Sequence, residues 1–324
     1  MDYGHEWTDE GLKDLEKRIT KEWTQAEKEV QEKLDAYIER FKEKDERKRQ
    51  QVKDGEITQD EYTRWRYGQV MIQGRWEEMR DTLAEDLTLT GEKVDSMTQE
   101  FCYDAYALNH NYGTFEVEQG AMVDTSYTLY DRSTVERLVR DNPQMLPPPG
   151  EKVSEQIRRG EAKLWNQKQI QSVMTQALLQ GESMPKIAKR LAEAVGDRDK
   201  NASIRNARTM VTGAENAGRQ DSYDRAEKMG IPVRKQWLAT LDGRTRHEHR
   251  QLDGQTCPVH GAFEIDGEQI RYPGDPEAPG YLVYNCRCTL VAEVKGIEYK
   301  GKRWDRLPEG MSYEQWKTYK KRGD

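Results

Sequence analysis

Seven side chains able to ligate a metal or move a proton fall within one short stretch: Asp242, His247, His249, Cys257, His260, Cys286 and Cys288. Cys286-Arg287-Cys288 is a C-x-C pair. On a strand, alternation puts both thiols on one face, about 6–7 Å apart along the chain. That spacing is poor for a relaxed mutual disulfide and good for two thiolates on one ion. Zinc takes four ligands at about 2.0–2.3 Å, and His249 with Cys257 or His260 completes such a set. The alternative is two ordinary buried thiols beside solvent-facing imidazoles, because no C-x2-C or H-x3–5-H pair accompanies them. His247-Glu248-His249 is not a protease centre, since that chemistry needs His at i and i+4 on one helical face. Asp242-Gly243-Arg244-Thr245-Arg246 followed by two His matches either a nuclease cation site or a turn held by Arg–carboxylate pairing. No second acidic ligand stands at a convincing spacing for the former. The chain has no phosphate-cradling glycine loop and no G-x-S-x-G elbow, which argues against nucleotide-driven work and serine hydrolysis.

The elements that must carry these residues divide by texture. Leu12, Leu15, Ile19, Trp23, Ala26, Val30, Leu34, Ile38 and Phe41 recur at threes and fours among Glu, Lys and Arg, which predicts one narrow stripe on a long helix with a hairpin or coiled-coil partner. Asp54-Gly55 marks its stop, and Thr58-Gln59-Asp60-Glu61 fits a capping box opening a helix that carries Tyr62, Trp65, Trp76, Met79 and Leu83. A third helix is expected over 91–110, ending at Asn109–Gly113. Pro147-Pro148-Pro149-Gly150 predicts a rigid polyproline spacer. Helices are expected between Trp165 and Leu179, over Ile187–Val195, and over Arg205–Met229 with Gly230 as its stop. Past Val233 helical periodicity ends. Gln236–Leu238, Ala262–Ile265 and Tyr281–Tyr284 look like short strands between turns. The tail Lys295–Arg322 sets Trp304, Tyr313, Trp316 and Tyr319 among basic residues, with Ser312 as an N-cap, and suits a docking segment as well as a packed helix.

The fold class is therefore α+β: a long, mostly helical N-terminal half followed by a small mixed α+β C-terminal module. The chain divides into 1–150, charged and hairpin-like with its Pro-rich end, 151–293, the module, and 294–324, a basic aromatic tail. Its 324 residues are 34% charged and only 35% hydrophobic, with net charge −7, too polar for one well-filled globule. No apolar run is long enough for a transmembrane helix, and the start lacks a signal-peptide pattern, so no membrane contact and cytoplasmic synthesis are expected. Four cysteines are too few for a disulfide scaffold. Within 186–250, fifteen Lys/Arg stand against nine Asp/Glu, an excess suited to DNA phosphates, an acidic partner, or plain solvation.

The run Trp237-Leu238-Ala239-Thr240-Leu241-Asp242-Gly243-Arg244-Thr245-Arg246-His247-Glu248-His249, with Leu252-Asp253-Gly254, resembles the W-x4-D-x-R-T-R-x-x-H…L-x-G core of Mu F-like phage head morphogenesis proteins. Tyr272–Pro276 and Asn285-Cys286-Arg287-Cys288 resemble its second half, and Ala207-Arg208-Thr209 with Glu215 its helical lead-in. The resemblance covers about 165–293. It implies a minor head protein of a tailed phage or prophage, low in copy number and non-enzymatic. Its partners are the portal protein, capsid and scaffolding proteins. Its place is the virion head interior, after host cytoplasm during assembly. Mapped here, the signature positions are Trp237, Asp242, Arg244, Thr245, Arg246, His249, Gly254, Asn285, Cys286 and Cys288. Cys257 and His260 fall outside the family pattern. A metal-dependent hydrolase built on Asp242, His249, Cys286 and Cys288 is the rival reading. The thirty or so residues after the module are too few for the toxin domain that some relatives carry, so no toxin cargo is expected.

Overall fold

In a computed structural model of the chain, described over residues 2–71, 74–146, 155–180, 182–294 and 305–322, the N-terminal stripe is the buried face of α1 (Tyr3–Lys53). Leu15, Ile19, Trp23, Val30, Leu34 and Ile38 are all buried. A helix this polar draws its stability from that one packed face. It ends at Gly55, which takes the left-handed φ of +75° that a side chain resists. Thr58 and Glu61 cap the next helix reciprocally: Glu61 N–H donates to Thr58 Oγ1 at 3.1 Å and Thr58 N–H to Glu61 Oε2 at 2.8 Å.

That helix, α2 (Gln59–Met71), is shorter than expected, and Trp76, Met79 and Leu83 belong instead to α3 (Arg75–Ala121). Nor does α3 stop at Asn109–Gly113. Asn109 and Asn111 are buried, and their amides donate to Thr8 Oγ1 at 2.8 Å and Tyr130 O at 2.9 Å. Tertiary partners outweigh the local preference of Asn and Gly for a helix end. α3 runs antiparallel to α1: Asn109 faces Thr8 and Phe101 covers Gly11, while farther along Lys93 pairs with Glu22 and Lys33 with Asp86.

β1 (Val123–Asp124) and α4 (Arg132–Asp141) follow, the latter capped by Asp131, which accepts the Thr134 N–H. The spacer 147–150 lies outside the described residues. After α5 (Glu155–Leu179), the two helices expected at 187–195 and 205–229 are one, α6 (Met184–Lys228). Pro185 sits in its first turn, where a missing N–H costs no hydrogen bond. Gly230, at φ +89°, ends it as expected.

The C-terminal region contains β2 (Val233–Leu238), α7 (His247–Leu252), β3 (Thr256–Pro258), β4 (Phe263–Ile265), β5 (Glu268–Ile270), α8 (Gly280–Val283), β6 (Thr289–Val294), β7 (Asp305–Arg306) and α9 (Tyr313–Arg322). An antiparallel sheet has the order β3-β2-β6, with Trp237 opposite Leu290 and Lys235 opposite Cys257. β4 and β5 form a hairpin through Asp266-Gly267, both at positive φ, as a two-residue turn requires. Tyr281–Tyr284 is not the strand expected but the helical turn α8, begun after Pro279 and burying Leu282 and Val283. β1 pairs with β7.

The tail also differs from a free docking segment. Tyr313 and Trp316 of α9 are buried with Tyr112, Tyr127 and Leu307. Trp316 Nε1 donates to Glu118 Oε2 at 2.6 Å, and Lys320 Nζ to Glu118 Oε1 at 2.9 Å. Ser312 caps α9 as predicted, accepting the Gln315 N–H at 3.3 Å. Trp304 lies outside the described residues.

The compact units are not consecutive in sequence. One comprises 1–16, 97–149 and 205–324, the other 17–96 and 150–204. The architecture is α+β, and among the described residues the strands all fall in the first unit. At the centre of that unit lies Arg219, fully buried. Its guanidinium donates to Asp2, to Asn109 Oδ1 at 3.1 Å and to Leu290 O at 2.7 Å, joining the N-terminus, α3, α6 and β6.

Candidate metal centre and the motif around it

His249 lies on the inner face of α7, buried, with Trp237 edge-on at 5.6 Å between ring centroids. Its Nε2 is 2.8 Å from Leu282 O in α8. A carbonyl only accepts, so Nε2 carries the hydrogen and Nδ1 presents a lone pair. That lone pair faces two sulfurs: Cys286 Sγ at 3.6 Å and Cys288 Sγ at 3.4 Å. Among the described residues these three donors form the one group of potential ligands lying mutually within 4.8 Å.

The two cysteines are not on a strand. They occupy the extended stretch just before β6, entered through Asn285 at φ +52°. The Cys288 N–H donates to Cys286 Sγ at 3.4 Å. The pair shares its protons unequally: the bond from Cys286, and then His249, lower the Cys288 thiol, whereas burial raises that of Cys286.

The signature residues hold this stretch in place. Asp242 receives a two-pronged hydrogen bond from Arg287, both arms 2.7 Å. Those bonds, with the Arg244 N–H, keep its carboxyl far below the usual range. Thr240 Oγ1 donates to Arg287 O at 2.6 Å, and Thr245 Oγ1 donates to Thr240 O. Arg250 closes the loop on Asp242 O at 2.7 Å. Gly254, at φ +76°, donates its N–H to Trp237 O at 2.8 Å. Arg246 Nη1 stands 3.5 Å from the His249 ring, and Arg244 projects outward, its side chain 80% exposed.

The other expected ligands do not join. Cys257 is on β3, opposite Lys235 in the sheet register. His260 pairs with Asp224 at 3.2 Å and Glu227 at 2.8 Å, and His247 bonds Gln251. The expected fourth ligand from Cys257 or His260 is therefore absent from this group. Asp242 is likewise committed to Arg287 rather than to a cation beside His249.

Four supporting residues escaped the sequence reading. Thr212 Oγ1 donates to Cys286 O at 2.8 Å, and Asn216 bonds Cys288 O at 3.2 Å and accepts the Leu290 N–H at 2.8 Å. Arg219 adds its bond to Leu290 O. The signal was there: Thr212, Asn216 and Arg219 lie at i, i+4 and i+7 on the face of α6 that also buries Val211. The fourth is His5, whose Nδ1 is 2.9 Å from Glu215 Oε1. Burial alone lowers its pKa, but the Glu215 carboxylate prevails and lifts it to about 9. A cavity of about 660 Å³ adjoins the centre, lined by His5, Glu16, Arg208, Arg246, Cys286 and Cys288 among others.

Residues 168–291 match the Phage Mu protein F like family. Minor head protein GP7 of Bacillus phage SPP1 is 26% identical over 327 residues, covering 97% of this chain and 96% of that protein. NAD(+)–arginine ADP-ribosyltransferase EFV of Enterococcus faecalis is 29% identical over 205 residues, or 62% of this chain, which spans only 40% of that protein's length. No solved structure matches. The signature core, which is similar to the Phage Mu protein F like family in sequence, closes into one braced site in space.

Proposed function

We propose that the chain is a low-copy, portal-associated component of a tailed-phage or prophage head, present in the virion head interior and acting in head assembly and in DNA packaging or delivery. One observation carries the proposal: the end-to-end likeness to a minor head protein, 97% of one chain against 96% of the other. Its partners are the portal protein and the capsid and scaffolding proteins around it. The proposal assigns no catalysis. ADP-ribosyl transfer is the named activity of a relative of which this chain spans 40%. A metal-assisted hydrolase is not favoured, because Arg287 takes both oxygens of Asp242.

DNA enters the proposal through the cations of 186–250 that project outward, Arg244 foremost. Arg208, Arg219 and Lys235 in that stretch face Glu16, Asp2 and Gln220 instead. Among the described residues no helix is long and apolar enough to cross a membrane.

The test is co-expression with the portal and capsid proteins of the same phage or prophage, followed by purification of assembled heads. Co-purification with portal-bearing heads at a few copies each is the expected result. Consistent absence from heads that contain portal overturns the proposal.

A further inference from the structure

We propose that His249, Cys286 and Cys288 bind one zinc ion, with the fourth coordination position on the side of the adjoining cavity and filled by water. This goes beyond the head-protein reading and stands or falls apart from it.

The distances carry the inference. Tetrahedral zinc with ligands at about 2.0–2.3 Å places its nitrogen and sulfur donors roughly 3.5 Å apart. Nδ1 of His249 lies 3.6 Å from one sulfur and 3.4 Å from the other. A single lone pair accepts one S–H, so a hydrogen bond to the ring fixes one sulfur, and the other is tied in only through the bond between the two thiols. A shared ion accounts for both.

The imidazole is already in the required tautomer. Leu282 O holds the Nε2 hydrogen at 2.8 Å, which is the outward bond that metal-ligating histidines ordinarily make. The backbone around the thiols is equally settled. Thr212 and Asn216 hold Cys286 O and Cys288 O, and the Cys288 N–H points at Cys286 Sγ, a bond that favours a thiolate. Two thiolates and one imidazole are the donor set that suits zinc among the common divalent ions. On loading, the two thiols give up their protons to water and the ion takes their place.

All three donors line the cavity. Three protein ligands with the fourth side open to solvent make a site that exchanges its outer ligand, unlike a closed four-ligand staple.

The full-length chain, expressed reduced, incubated with zinc sulfate and desalted, is the material to assay by elemental analysis. About one equivalent of zinc is expected, retained in Cys257→Ser and lost in His249→Ala and Cys288→Ser. Less than a tenth of an equivalent in the wild-type chain overturns the site, as does retention by a folded Cys288→Ser chain. Should those two variants fail to fold, the wild-type chain loaded with cobalt(II) decides. Thiolate-to-cobalt charge transfer with tetrahedral visible bands supports the site, and a spectrum of aquated cobalt overturns it.

Discussion

Removing the indole of Trp316 distinguishes a tail packed on its own unit from a tail waiting for a partner. Trp316 is fully buried, with Phe115, Tyr127 and Tyr313 at ring-centroid distances of 5.7, 6.1 and 5.8 Å. Truncating a buried Trp to Ala costs about 3–5 kcal/mol. The lost Nε1–Glu118 bond falls within that range, because Lys320 still neutralises the carboxylate at 2.9 Å. Trp316→Phe keeps most of the ring contacts and removes the donor to a charged acceptor, a loss of about 1.5–3 kcal/mol. With a urea slope of about 2–3 kcal/mol per molar, Trp316→Ala should lower the unfolding midpoint of the unit holding α9 by about 1–2 M, and Trp316→Phe by about half that. Urea unfolding, with hydrogen exchange of the α9 amides followed in parallel, reads both. A loss below about 1 kcal/mol in Trp316→Ala, or α9 amides that exchange freely in the wild-type chain, refutes the packed arrangement.

Two further predictions concern the same unit. His5 has its pKa raised to about 9 against about 6.5 when unfolded, so its contribution is complete below pH 6.5 and disappears as the pH rises through 9. The stability difference between wild type and His5→Gln should shrink over that window, and a pH-independent difference would show the Glu215 pairing to be absent. Gly274 stands at φ +80° with a position for Cβ only 2.6 Å from Gly213 N. Gly274→Ala should therefore destabilise by about 2–4 kcal/mol, combining backbone strain with overpacking; a thermal melt matching wild type would rule out that close approach to α6.

Much of this architecture was legible because its cause is local. The capping box at Thr58 and Glu61, the stripe on α1 and the Gly230 stop each depend on residues within a turn or two of one another. What misled was tertiary. Asn109–Gly113 carries the composition of a helix end, yet its amides are satisfied by Thr8 and Tyr130, more than a dozen residues away. Tyr281–Tyr284 is a four-residue apolar run, too short for its period to separate strand from helical turn. A buried Arg219 looks in sequence like any solvated cation of a charged helix, and only the convergence of Asp2, Asn109 and Leu290 distinguishes it. The Cys–His grouping was visible as a spacing of residue types. Its membership was not, because the sheet register puts Cys257 against Lys235.

The signature core is best understood as a clamp on one segment of main chain. Its polar members do not point at a common reaction point. Thr240 bonds the carbonyl of residue 287, Asp242 grips the side chain of that same residue, and His249 bonds the carbonyl of residue 282. From the opposite side α6 supplies Thr209 to the N–H of Asn285, Thr212 to the carbonyl of Cys286 and Asn216 to that of Cys288. A segment entered through a left-handed Asn and lacking strand partners up to Cys288 has few ladder bonds of its own, and unpaired buried amides are costly. The motif supplies those bonds from side chains. The consequence is that two thiols and one imidazole nitrogen are aimed before any ligand arrives, which is what a site needs if ordering is not to be charged against binding. Residues as far apart as Thr209 and Cys288 therefore form a single device, and substitution at any of them should register first as misplacement of the 285–288 segment.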